Sequence, residues 1–300
     1  MAKQKTYLIV GLPHAGVPLL TSALEQHRDE LATVGVRVPA RSADEALRAA
    51  VEVRREHRAW GLRRKDVEGA WSEVCRRALK HRDTAVVGHE LLAGAAPDEI
   101  ALLVDGLAGT QVHVVVLAAA PDGRVGLFPD ELDLTSVLDR WETAVAVPDR
   151  LHVVVSDPAS PGDSWRALAS LVGFDADRFP APDAAAVTAP ADAASLRLIA
   201  ESSTFYVDHD ALVELARDWA RVVARRGYDV VGDLRALVPA RLAASTDPAR
   251  AAYDDRIDIL AGALGEAVTE VGRLREQLAL LRADQAKVQR KRRRRLAAVS

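Results

Sequence analysis

Two kinds of apolar block follow one another along the chain. Thr6–Val10, Thr84–Gly88, Thr110–Leu117 and Leu151–Val155 are short runs with few or no polar interruptions. An uninterrupted run has no solvent face, so each predicts a strand buried on both sides, as in a parallel sheet. Between them, apolar positions recur at helical spacing in a segment opening at Pro18 and at Ala43–Trp60, Val67–His81, Pro97–Leu107 and Asp163–Val172. Pro97 suits a first helical turn with acids close behind it, and Asp163 suits a cap. Val34–Val38 is a short extended candidate, and helices are predicted at Ala193–Phe205 and His209–Arg226. Strands alternating with helices require a parallel sheet covered on both faces, an α/β fold.

The pattern also divides the chain. Residues Ala176–Ala194 are rich in Ala, Pro and Asp and read as a linker or long surface loop. We therefore assign 1–185 to an α/β domain, 186–250 to a helical extension, and 251–300 to a coiled-coil helix with a basic tail. In the extension, GYDVVGDLRALVP reads as a turn leading to a short apolar segment. From Ile257 the apolar seam runs through Leu260, Leu264, Ala267, Val271, Leu274, Leu278, Leu281, Gln285 and Val288, a heptad spacing. It predicts homo-oligomerisation through 257–288, with the helix folding back onto the domain as the competing arrangement. Gly262, Gly265 and Gly272 weaken that helix, so modest pairing is expected.

Composition narrows the class. About half of the 300 residues are apolar, enough for a large core, and no run approaches a membrane span or a signal peptide. A cytoplasmic location is the resulting expectation. Cys75 is the one cysteine, which excludes an internal disulfide and a thiolate metal cage and fits a packed helical position. The net charge of −3 hides an asymmetry, because seven cations follow Asp284 with no acid among them. That basic tail suits nucleic acid, an anionic membrane surface, or simply a solvated helix end. No interleaved aromatics or groove-reading module accompany it, so sequence-specific nucleic-acid recognition is not expected.

The chemistry concentrates at Thr6–Gln26, where a strand meets a glycine turn and then a helix. The first amides of a helix lack internal partners and carry the positive end of its dipole, so such a turn can hold phosphate or sulfate. Gly11 and Gly16 match the glycine frame of GxxxxGK(S/T), but Val17 and Pro18 replace the lysine and hydroxyl that an ATP-type loop needs. The segment YLIVGLPHAGVPLLTSAL, followed by Leu31–Pro39 and later by GYDVVGDL, resembles bacterial sulfotransferase-family proteins of actinobacterial type. The resemblance implies a P-loop-like sheet of sulfotransferase type and transfer of a sulfuryl group from PAPS to a hydroxyl or amine, on a small-molecule or glycan acceptor that the chain does not identify.

The same resemblance implies the site residues. Pro13, His14, Ala15, Gly16 and Val17 stand where the family's PKSGTT loop holds the 5′-phosphosulfate, with His14 in place of the lysine and Ala15 and Val17 in place of hydroxyls. Arg124 stands near the family's 3′-phosphate ligands, with Pro121 beside it and Ser136 and Trp141 as remnants of later ones. Glu90, after His89, matches the family's S-x-E segment and is the candidate to orient or deprotonate the acceptor. His14 and Glu90 are thus the candidate catalytic residues. Two readings stay open, an active transferase or a non-catalytic scaffold that assembles through its coiled coil. His113 and His152 read as packed or edge residues. Asp208, His209 and Asp210 read as capping residues rather than metal ligands, since three consecutive residues converge poorly on one ion.

Overall fold

A strand with no polar position is stable only between two others and under helices on both faces, and the observed sheet meets that demand. The computed structural model describes residues 3–12, 15–121, 133–157, 160–181 and 209–239. Six strands, β1 (Lys5–Gly11), β2 (Val36–Arg37), β3 (Thr84–Gly88), β4 (Gln111–Ala119), β5 (Leu151–Ser156) and β6 (Asp229–Val231), form one all-parallel sheet in the order β2-β3-β1-β4-β5-β6. β1 is central, with Tyr7 in register with Val86 of β3 and with His113 of β4. From Thr6 onward β1 is wholly buried, as is β5, so both sheet faces are covered.

The chain leaves β1 outward past β3 to β2, returns to β3, and then crosses β1 to reach β4, β5 and β6. Connections leaving the carboxyl ends of β1 and β4 therefore run in opposite directions. In open parallel sheets the crevice at such a switch point is where ligands sit.

The described helices are α1 (Val17–Gln26), α2 (Arg28–Thr33), α3 (Ala43–Val53), α4 (Arg64–Val67), α5 (Ala70–Ala78), α6 (Pro97–Asp105), α7 (Leu134–Trp141), α8 (Pro161–Val172) and α9 (His209–Arg225). Several differ from the sequence expectation for local reasons. The long helix expected at Ala43–Trp60 stops at Val53, because Arg55 takes a left-handed φ of 54°. The expected Val67–His81 helix is two, broken where Gly69 has φ 89°. Asp163 lies in the first turn of α8 and Ser160 is its N-cap. α7 was not anticipated. Asp133 caps it by accepting from the Ser136 N–H at 3.0 Å, and Trp219 of α9 donates its Nε1–H to the same carboxylate at 2.6 Å.

The stretch read as a helical extension contributes α9 and, through β6, the last strand of the sheet. Of the expected linker, residues 176–181 are described, and Phe179 is buried there with its carbonyl accepting from Trp165 Nε1 at 2.6 Å. The remainder of the linker, the helix expected at Ala193–Phe205, the heptad seam 257–288 and the basic tail lie outside the described residues. Cys75 is buried on α5, where burial pushes its thiol up to about 12.

Tight strand packing leaves a testable mark at Gly88. A Cβ there would stand 2.6 Å from Ile9 Cβ and 2.9 Å from the Ile9 carbonyl oxygen, both on the central strand and unable to move aside. Gly88→Ala is expected to lower stability by about 1–3 kcal/mol, the usual cost of overpacking, as measured by urea denaturation.

Candidate functional site

The end of β1 is built around a missing side chain. At Gly11 a Cβ would meet Val17 Cγ2 at 2.6 Å and Leu117 Cβ at 2.9 Å, so only glycine lets the turn fold back over β4. The Leu12 N–H donates to the Leu117 carbonyl at 3.0 Å, and the Ala15 N–H donates to the Leu12 carbonyl at 3.1 Å. Gly16 then caps α1 with φ 97°, a conformation that favours glycine. Val17 is the first helical residue and Pro18 the second, one position later than the sequence suggests. Both Leu19 and Leu20 donate to the Gly16 carbonyl, at 3.1 and 3.3 Å.

This pattern decides how many donors the turn can offer. Pro18 has no N–H, and the amides of Ala15, Leu19 and Leu20 are spent within the chain. Gly16 and Val17 remain as the amides of 15–20 not committed to another described residue. The Ala15 and Val17 side chains are buried, and Val17 packs on the Gly11 backbone. In this turn Val17 is a packing residue.

A polar group that the sequence reading missed stands behind the turn. Ser156, the last residue of β5, is buried, and its Oγ lies 3.7 Å from where a Gly16 Cβ would be. Ser164 of α8, also buried, donates its hydroxyl to Ser156 Oγ at 3.0 Å. With its acceptor role filled, Ser156 has its own hydroxyl hydrogen to orient. The available signal was a hydroxyl residue directly ending an apolar run, at the edge where parallel sheets bind ligands.

Beside β1 the end of β3 carries the second predicted element. The His89 N–H donates to the Ile9 carbonyl at 3.2 Å, and His89 Nδ1 accepts from the Leu91 N–H at 3.2 Å. Glu90 follows as the first residue of a 3-10 helix, Glu90–Gly94, and is half-buried. That helix is held by several side chains. Arg54 donates to the Leu91 carbonyl at 2.9 Å, Arg140 to the carbonyls of Ala93 and Ala95 at 3.1 Å each, and Trp141 Nε1 to the Leu92 carbonyl at 3.2 Å. Gly94 leaves room for the Arg54 guanidinium to lie against the backbone. Trp141, expected to be a remnant of a nucleotide site, is a fully buried core residue.

Of the predicted site residues, Ala15, Gly16 and Val17 form the turn after β1 and the start of α1, and Glu90 follows the carboxyl end of the neighbouring strand β3. Pro13, His14 and Arg124 lie outside the described residues. Asp210 falls in the first turn of α9, where its charge faces the positive end of the helix dipole. Among the described residues no group of three His, Cys, Asp or Glu is placed to hold a metal, and no helix is long and apolar enough to cross a membrane. No protein-family model, curated protein or solved structure matches the chain.

The support under Glu90 is open to test. Arg140→Met should leave two carbonyls without their charged donor, at a cost of about 1.5–3 kcal/mol. Hydrogen exchange measured by mass spectrometry is expected to rise in 89–96 while β4 stays protected.

Proposed function

We propose that the chain is a sulfotransferase-type protein that takes a PAPS-class nucleotide at the turn between β1 and α1 and passes a sulfuryl group to a hydroxyl or amine. The observation that carries this reading is the left-handed glycine cap at the start of α1, set at the switch point between β1 and β4 with Ser156 behind it. A helix start at that place suits an anion by geometry and by dipole. The nucleotide, when bound, supplies the sulfuryl group and a phosphate leaving group.

The residues then divide the work. The amides of Gly16 and Val17 donate to the phosphosulfate, and Pro13 and Ala15 shape the turn around it. His14 acts as the cation near the bridging oxygen when protonated, a state that an ordinary imidazole leaves as pH rises past about 6.5. Arg124 pairs with the 3′-phosphate. Glu90, at the end of the adjacent strand, accepts the proton of the attacking hydroxyl.

A second reading, a non-catalytic scaffold pairing through 257–288, draws on the buried, apolar Ala15 and Val17 and on the donor lost at Pro18. Calorimetric titration with adenosine 3′,5′-bisphosphate separates the two. Wild type is expected to bind weakly, and His14→Lys to bind at least tenfold more tightly, since a charge-assisted bond contributes about 1.5–3 kcal/mol. Heat from neither protein would contradict the nucleotide reading. For the scaffold, mass in solution is compared between the full chain and a chain ending at Ala252. A dimer that becomes a monomer on truncation supports assembly through the seam, and a full-length monomer at tens of micromolar contradicts it.

A further inference from the structure

The opposite, amino-terminal end of the sheet holds a file of polar side chains, one from each of four adjacent strands. Tyr7 of β1 stacks on His113 of β4 with ring centres 4.8 Å apart, and His113 stacks on His152 of β5 at 5.2 Å and 10°. His113 Nδ1 lies 2.9 Å from His152 Nε2, and His152 Nδ1 lies 2.6 Å from Asp229 Oδ2 of β6. The Tyr7 hydroxyl donates to the Leu171 carbonyl of α8 at 2.6 Å. The two histidines are 8% and 6% exposed, and His113 Nε2 is a buried nitrogen without a hydrogen-bond partner among the described residues. The sequence reading of both as packed residues covers their burial but not their connection.

We infer that this file is a proton-sensitive latch, in which uptake of a single proton loosens the edge strand β6 from the sheet. Hydrogen-bond accounting leads there. The ionised Asp229 can only accept, so His152 Nδ1 carries a hydrogen and His152 Nε2 accepts from His113 Nδ1–H. The nitrogen–nitrogen contact and the nitrogen–carboxylate contact each hold one hydrogen. A further proton on the rings therefore ends at His113 Nε2, whichever way the central bond is drawn, and there it finds no acceptor. The alternative is to protonate Asp229, which leaves an oxygen to accept from the His152 N–H but replaces the charge-assisted bond with a weaker neutral one.

Either route strains the same strand. β6 pairs with β5 over three residues and is the sheet edge, and the Asp229 side chain is 46% exposed. Lifting β6 is the shortest way to hydrate the rings. The other groups facing His113 are Lys5 of β1, Asp149 and Arg150 before β5, and the Tyr7 ring. Lys5 and Arg150 oppose the added charge and Asp149 favours it, while burial raises Tyr7 and keeps it neutral. Burial first and His152 second push His113 down to about 4. Because the closed form binds the proton less readily than the opened one, the latch is intact above about pH 6.5 and is lost as pH falls toward 4. Gly232, next after β6, packs on the Val155 backbone beside Ser156, so the latch borders the carboxyl-edge site.

Hydrogen exchange of the full chain by mass spectrometry, corrected for intrinsic rates, tests the latch. The opening constant of the segment 229–237 should rise roughly twentyfold from pH 7 to pH 5, while 84–88 in β3 changes little. The double variant His113→Phe/His152→Gln, which removes both imidazoles and keeps an amide to donate to Asp229, should flatten that rise. If 229–237 and 84–88 loosen together, or if the variant keeps the wild-type pH profile, the latch is wrong. Should the variant not fold, imidazole NMR of wild type replaces it. His113 staying neutral through pH 6 supports the latch, and His113 titrating near the ordinary imidazole value of about 6.5 while exchange at 229–237 is unchanged overturns it.

Discussion

The absence of a side chain at Gly11 is the constraint on which the carboxyl edge depends. It lets Val17 sit on the backbone of β1 and brings Leu12 within hydrogen-bonding distance of Leu117, so the turn is pinned to two central strands at once. A methyl group at that point would push α1 outward and carry Gly16 away from Ser156. Gly88 plays the matching part on the other side of β1, where it lets β3 close against Ile9 and sets the start of the Glu90 segment. Two glycines on adjacent strands thus position both predicted parts of the site.

The two ends of the sheet differ in kind. At the carboxyl end the amides of the described turn residues are largely spent on the chain itself. At the amino end an uninterrupted file of hydrogen-bonded rings runs from β4 to an edge carboxylate. A buried polar network of this type is costly unless every member is paired, and here one nitrogen is left over. The first end suits recognition of an anion, and the second suits response to a proton.

Much of the central sheet was legible in the sequence, since strands buried on both faces leave short, valine-rich apolar runs too brief for a helix. β6 was not, because Asp229–Val231 is a short, half-exposed edge with no such run. Helix starts were read more closely than helix ends, which depend on single backbone conformations such as those of Arg55 and Gly69. In the site, Gly16 declared itself by its spacing from Gly11, and Glu90 by ending a strand. Ser156 did not, because its meaning comes from Gly16 and Ser164 across the fold, and sequence order gives no sign of that meeting. The His113–His152–Asp229 file was hidden for the same reason, each residue being unremarkable within its own strand.

The central claim is that the Gly16 turn is the place where a nucleotide anion binds. Amide NMR of the isotope-labelled chain during addition of adenosine 3′,5′-bisphosphate addresses it most directly. Saturable shifts are predicted for the amides of Gly16, Val17 and Ser156, with the amino-terminal edge around His113 unmoved. Saturable shifts confined to other surfaces, or none up to millimolar nucleotide, would contradict the account.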